Sequence, residues 1–197
     1  MSNDLQLLRA DNFEIADSSS VANLPKASKA GNRSIGSVNG NLYLTDEDGV
    51  STPATRSEPV SSGTSKTLTE AEHAGKTILM DSSTGTTIIL PPSTGNGAKY
   101  RFVTKVAPAS GNDIIKVANA SDTMAGVISV LSDDSAAVLG YKASGTDDTI
   151  TLNRTTKGAT SVGEWLEIED IAENLFLVRG MLAATGTEAS PFSATVS

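Results

Sequence analysis

Apolar residues fall in short runs with a period of two, separated by tight clusters of turn formers. The densest example is residues 67–105, where Thr77–Met80, Thr86–Leu90 and Tyr100–Lys105 are each of strand length and rich in Ile, Leu, Thr, Val and aromatics. Between them lie Ser82-Ser83-Thr84-Gly85 and Ser93-Thr94-Gly95-Asn96-Gly97, where Gly and Asn tolerate positive φ. The pattern predicts a β-meander here, the seed of the fold. Further strands are predicted over 113–118, 123–131, 136–141 and 148–152. Gly163–Glu169 alternates, with Leu166 and Ile168 on one face and Trp165, Glu167 and Glu169 on the other. Asn174–Leu182 is apolar on both faces, as a central strand is. Thr69 and Glu72 fit a capping box and Gly75 a C′ position, which predicts one helical turn ahead of the first strand. Turn signals recur about every 8–12 residues with almost no helical periodicity, so the fold class predicted is all-β: a single β-sandwich or barrel-like domain over 67–183. The tail 184–197 reads as polar apart from Phe192.

The first 60 residues have a different pattern and are predicted to be an extended N-terminal arm. Leu5, Leu7 and Leu8 are followed by a brief alternation through Phe13 and Ile15, and then by Ser-rich and Lys-rich stretches in which Pro25 biases Leu24 away from helix. Residues 34–46 carry a hairpin signal: Asn39-Gly40, the preferred pair for a type I′ turn, with Ile35 before it and Leu42 and Leu44 after it. An isolated hairpin is marginal in water, so this one is expected to dock on something. Residues 51–66, with two prolines and no apolar periodicity, read as a linker ending at 61–66.

Composition bounds the function. The net charge is −8, and about a quarter of the residues are Ser or Thr. An acidic chain repels a phosphate backbone, so no nucleic-acid partner is expected. Charge is uneven: −3 over 1–60 (5 basic, 8 acidic), +2 over 61–120 (6 and 4) and −7 over 121–197 (4 and 11). There is no cysteine, which removes thiolate metal sites and cysteine nucleophiles. No apolar run approaches the ~20 residues of a membrane span, and no secretory signal is visible, so no membrane partner is expected.

Candidate chemistry is sparse. Asp46-Glu47-Asp48-Gly49 has the hard oxygen donors of a calcium loop but lacks the remaining ligands and reads as an acidic turn. His73 is the single histidine and is predicted to be solvent-exposed beside Glu70 and Glu72. Asp133-Asp134 and Asp147-Asp148 are paired carboxylates of the kind glycosidases need in space, but both sit among turn residues. Asn32, Asn119 and Asn153 head N-x-S/T triplets, expected by chance in so Ser/Thr-rich a chain. Trp165 reads as packing at a sheet edge or subunit interface; the alternative is a stacking platform for sugars flanked by Glu167 and Glu169. No catalytic, metal or cofactor motif is present, so no cofactor is expected and the chain reads as a binding or structural protein rather than an enzyme.

Two stretches carry a family resemblance. KASKAGNRSIGSVNGNLYLTDEDGVSTP (26–53) resembles the short hairpin module near the N-termini of phage capsid-decoration and fibre-type proteins. The succession TLTEAEHAGKTILMD, TTIILPP, GNGAKYRFV, GEWLEIEDIAENLFLVRG and TGTEASPFS is similar to the β-domains of tailed-bacteriophage head decoration (cement) proteins. The resemblance implies a homotrimer on the capsid exterior, assembled in the host cytoplasm. It also implies an arm gripping the major capsid protein or neighbouring copies, and no enzymatic activity. The contact residues expected are Phe13, Ile15, Leu24, Leu42 and Leu44 in the arm and Trp165 in the β-domain. The alternative is a tail-fibre or receptor-binding β-protein that recognises host-surface glycans.

Overall fold

A computed structural model describes residues 17, 18, 20, 24, 26, 28, 32–38, 41–53 and 58–196. The chain is nearly all β and divides into two compact units, Met1–Arg56 and Ser57–Ser197.

The first unit is a four-stranded sheet in the order β1 (Asp17–Ser18), β2 (Ser34–Val38), β3 (Asn41–Thr45), β4 (Ser51–Pro53). The β2–β3 hairpin sets Ile35 opposite Leu44 and Gly36 opposite Tyr43. The Asn39-Gly40 turn that the sequence predicts between them lies outside the described residues. The turn from β3 to β4 is held by Asp46, whose Oδ1 accepts the Val50 N–H at 2.8 Å and the Asp48 N–H at 3.1 Å, with Gly49 at φ +85°.

The second unit is a sandwich of two sheets, and the chain enters it by crossing from one sheet to the other with each successive strand. β5 (Val60–Ser61), β7 (Thr77–Met80) and β9 (Lys99–Thr104) lie parallel in one sheet; β6 (Ser65–Thr67), β8 (Thr86–Ile89) and β10 (Asp113–Lys116) lie parallel in the other. The predicted meander is therefore corrected. β7 and β9 are parallel neighbours, with Ile78 beside Phe102, and β8 lies across the core from them. All three runs present alternating apolar positions, and two opposed inner faces use them as well as one does. The crossing at residues 81–85 packs its backbone closely against the next one. Gly85 has φ +82°, and a Cβ there would lie 2.4 Å from the Asn112 carbonyl oxygen of the next crossing.

After these coils the sheets are completed by longer strands: β11 (Thr123–Ser132), β12 (Val138–Lys142), β13 (Thr149–Leu152), the hairpin β14 (Trp165–Ala172) and β15 (Leu175–Ala184), and β16 (Phe192–Ser193). The seven-stranded sheet runs β12-β11-β15-β14-β9-β7-β5 and the five-stranded sheet β16-β13-β10-β8-β6. Ile78, Met80, Tyr100, Phe102, Leu166, Ile168, Phe176 and Val178 from the first meet Ile88, Ile115, Ile150 and Leu152 from the second, all at most 1% exposed. Each such side chain contributes roughly 1.5–3 kcal/mol.

Both ends of the predicted domain extend further than the sequence pattern indicates. Residues 60–66 fall in the expected arm and linker, yet with Thr67 they supply β5 and β6. Val60 is their only large apolar residue, and polar bonds secure them. Ser62 N–H donates to the Leu79 carbonyl at 2.9 Å, while Asp81 Oδ1 accepts the Ser61 hydroxyl at 3.0 Å and the Gly63 N–H at 3.2 Å. The polar tail is likewise part of the sandwich. Phe192 is buried opposite Ile150, and the Asp148 carboxylate accepts the Thr149 hydroxyl at 2.7 Å and the N–H groups of Thr195 (2.8 Å) and Val196 (3.2 Å). Asp148→Ala is expected to lower stability by about 2–4 kcal/mol, because it strands buried donors and frees the last strand. Urea unfolding measures this, and an unchanged midpoint would show that the tail contributes nothing.

Candidate functional site

The arm sheet has two unlike faces. Gly36 and Val38 are buried on one, and Leu24 (7% exposed) packs so closely over Gly36 that a Cβ there would meet its Cδ2 at 2.4 Å. Leu24 is thus committed to its own unit rather than offered to a partner. Ile35, Leu42 and Leu44 point from the other face, Ile35 51% and Leu42 42% exposed and Leu44 half-buried. Phe13 and Ile15, the remaining expected arm contacts, lie outside the described residues.

Trp165 begins β14 on the outer face of the seven-stranded sheet, opposite Val103 on one side and Met181 on the other. The next outward positions are charged. Glu167 stands between Arg101 and Arg179, and Glu169 between Lys99 and Leu177. The Arg179 guanidinium is bonded to Glu167, through Nε at 2.8 Å and a second nitrogen, and lies 3.6 Å from Glu169; Lys99 Nζ lies 3.4 Å from Glu169. The Glu167 carboxylate raises the pKa of Arg179 further. The Arg101 guanidinium sits 5.3 Å from the centre of the Trp165 ring, a cation–π contact. The three groups that a sugar site would use, Trp165, Glu167 and Glu169, are therefore already engaged with arginine and lysine of the same sheet.

The acidic residues that matter most are buried and were not distinguished by sequence pattern. Asp170 takes the Ser93 hydroxyl (2.7 Å) and the Thr94 (2.8 Å) and Gly95 (2.7 Å) N–H groups. Burial pushes its carboxyl up, but these donors together outweigh that and hold it below the usual range. Glu164 accepts the Ala159 and Ser161 N–H groups at 2.8 and 2.6 Å and the Thr160 hydroxyl at 3.0 Å. Asp113 is the exception. It is 1% exposed, Oδ1 accepts the Thr86 N–H at 3.0 Å, and Oδ2 has no hydrogen-bond partner. Burial, and secondarily the Glu164 charge, pushes its pKa up to about 6 against the single Thr86 bond.

His73 is corrected: it is buried, 7% exposed, within the predicted helical turn α1 (Glu70–His73). Its Nδ1 lies 3.0 Å from the Thr69 N–H and accepts it, in the place a capping box would give to Glu72. The Thr69 hydroxyl makes no capping bond and turns instead to Glu72 Oε2 at 3.2 Å. The short ring folds back on its own turn, while Glu72 remains outside. The aspartate pairs support turns and loops. Asp133 accepts the Gly186 N–H at 3.1 Å and Asp147 the Ser144 N–H at 2.6 Å. Asn119 and Asn153 each accept backbone N–H groups of the residues that follow them, and Asn32 is exposed. Among the described residues no three of His, Asp and Glu gather as a metal-holding group. The chain matches no protein-family model and no curated protein.

Asp113 and Asp170 give opposite pH signatures. Asp113 keeps its proton up to about pH 6 when folded but releases it near 3.8 when unfolded, so its contribution to stability is present in acid and is lost as pH rises through about 6. Asp170 stabilises above the ordinary carboxylate range and loses this as pH falls through its own lower pKa. Asp113→Asn is therefore expected to raise stability near neutral pH by up to about 2 kcal/mol and to flatten its fall between about pH 4 and 6. Asp170→Asn, which turns an amide N–H toward existing donors, is expected to lower it by about 2–4 kcal/mol. Urea titrations at about pH 4.5 and about pH 7.5 separate the two; a shared sign at neutral pH would refute the assignment.

Proposed function

We propose that this chain is a non-enzymatic virion structural protein that decorates or cements the outer surface of a bacteriophage capsid, as a homotrimer with the major capsid protein as its partner. The observation that carries the reading is the arm sheet: one face is closed by Leu24, and the other displays Ile35 and Leu42 to solvent with Leu44 half-buried beside them. A small apolar face on a unit separate from the main core is what an attachment arm needs. Burial of these three side chains from partly exposed positions contributes roughly 3–5 kcal/mol, enough to fasten one arm weakly. Three arms on one trimer multiply that through effective concentration. The net charge of −8 is consistent with a place outside the capsid, since it repels packaged nucleic acid. Most of the buried carboxylates, Asp148, Asp170 and Glu164 among them, are occupied in holding loops and chain ends, which fits the same reading.

The test is co-sedimentation of the full-length protein with purified capsids lacking it. Wild type is expected to pellet with capsids, and the double variant Ile35→Ser with Leu42→Ser to bind about 30-fold more weakly or worse. Wild type that stays in the supernatant would sink the capsid reading; a double variant that attaches undiminished would sink the role of the arm.

A further inference from the structure

The outer face of the seven-stranded sheet carries, on β11, β12 and β15, exposed apolar side chains where a solvated sheet face is normally polar. In the sandwich unit the described large apolar side chains that are exposed are Val127, Leu131, Val138, Leu139, Val162, Ile171 and Met181. Four of these seven lie together on this face, on β11, β12 and β15: Val127 (48%), Leu131 (43%), Val138 (56%) and Met181 (45%). Met181 stands beside Trp165, and Leu131 opposite Val138. Leu131, Trp165 and Met181 also wall a depression of about 260 Å³, room for one or two apolar side chains. Scattered single exposures need no explanation, but four on three neighbouring strands, with Val127 between Lys142 and Arg179 and a half-buried Trp beside Met181, do.

We propose that a second copy of this chain docks on this face, with Val127, Leu131, Trp165 and Met181 at the centre of the contact. The proposal rests on the homotrimer reading above and names its subunit surface: three apolar patches converge on the axis, and the charged rows lie where neighbours meet.

Two quantities favour a second copy as the occupant. The first is charge. With a net charge of −8, two copies approaching through most of their surface repel. This face instead carries both signs in ordered rows. Its outward positions carry Lys99, Arg101, Lys142 and Arg179 against Glu167 and Glu169, four cations to two carboxylates. The signs alternate along the row Arg101–Glu167–Arg179, so a neighbour's row can be offset to set unlike charges together. The second is area. Five strands (β12, β11, β15, β14 and β9) averaging about eight residues at ~3.3 Å per residue and ~4.8 Å apart give roughly 600 Å², at the lower end of the about 600–1,000 Å² per partner of a specific interface.

Sedimentation equilibrium on the full chain tests this, with emission from Trp165, the single tryptophan, as a second readout. Wild type is expected to sediment as a trimer, with tryptophan emission shifting to longer wavelength as dilution dissociates it. Val127→Arg places a further cation between Lys142 and Arg179, and Met181→Arg places one beside Trp165, at positions the monomer leaves about half exposed. Each is expected to give a monomer with unchanged cooperative melting and dilution-independent emission. Thr151→Arg, on the outer face of the other sheet, is expected to remain a trimer. A dimer lost in both face variants would uphold the docking face and overturn the threefold number. Wild type that is monomeric at about 0.1 mM, or any oligomer that survives both face variants, overturns the proposal. Capsid attachment is read separately by pelleting, so failure here is distinguishable from failure of the capsid reading.

Discussion

Each time the chain crosses between the two sheets, its backbone leaves a ladder and its N–H groups lose their strand partners. Buried groups of this kind must be satisfied locally. Here carboxylates do much of it: Asp81 at the β5–β6 loop, Asp170 at the 93–95 loop, Glu164 at residues 159–161 and Asp148 at the last strand. Every one accepts at least one backbone N–H and a Ser or Thr hydroxyl as well. A chain that crosses so often needs many such acceptors, which accounts for part of its acidity without reference to any ligand. The bonds are charge-assisted, and those of Asp170, Glu164 and Asp148 are at least partly shielded from solvent, so they are stronger than the exposed ones of Asp81.

This device explains which features of the fold were legible. Strands with period-two apolar patterning were visible because each buries one row: Ile78 and Met80, Tyr100 and Phe102, Leu166 and Ile168. The hairpin of β14 and β15 was visible because both strands alternate or are wholly apolar. What the pattern could not show was which sheet a strand joins, since an inward row serves either inner face equally well. The meander expectation failed for that reason. β5, β6 and β16 lacked a pattern because strands of two or three residues are too short to show a period, and their placement depends on Asp81 and Asp148 many residues away in sequence.

The candidate sites divide along the same line. Trp165 was picked out by type, and its neighbours Glu167 and Glu169 by alternation. That Arg101, Lys99 and Arg179 already engage them follows only from the register of β9 and β15 against β14. His73 was expected outside because its neighbours in sequence are glutamates. Its ring reaches back over its own turn, a choice that local composition does not encode. Leu24 was indistinguishable in sequence from Leu42 until Gly36 was found beneath it.

A strand that is apolar on both faces implies cover on both. β15 has such a sequence, and within its own unit only the inner face is covered, by the five-stranded sheet. Its inner Phe176, Val178 and Leu182 are at most 1% exposed, while its outer Met181 is 45% exposed. Stability of the monomer does not require an outer Met181 or Val127, since Thr or Lys would serve a solvated face at least as well. The inner row thus specifies the fold, and the outer row demands something the isolated unit does not supply. The arm sheet repeats this logic on a smaller scale, with Leu24 closing one face and Ile35 and Leu42 left open on the other. Exposed apolar side chains thus stand on both units, Ile35 and Leu42 on the arm sheet and Val127 and Met181 on the sandwich, at positions where a solvated β-face would carry Thr or Lys.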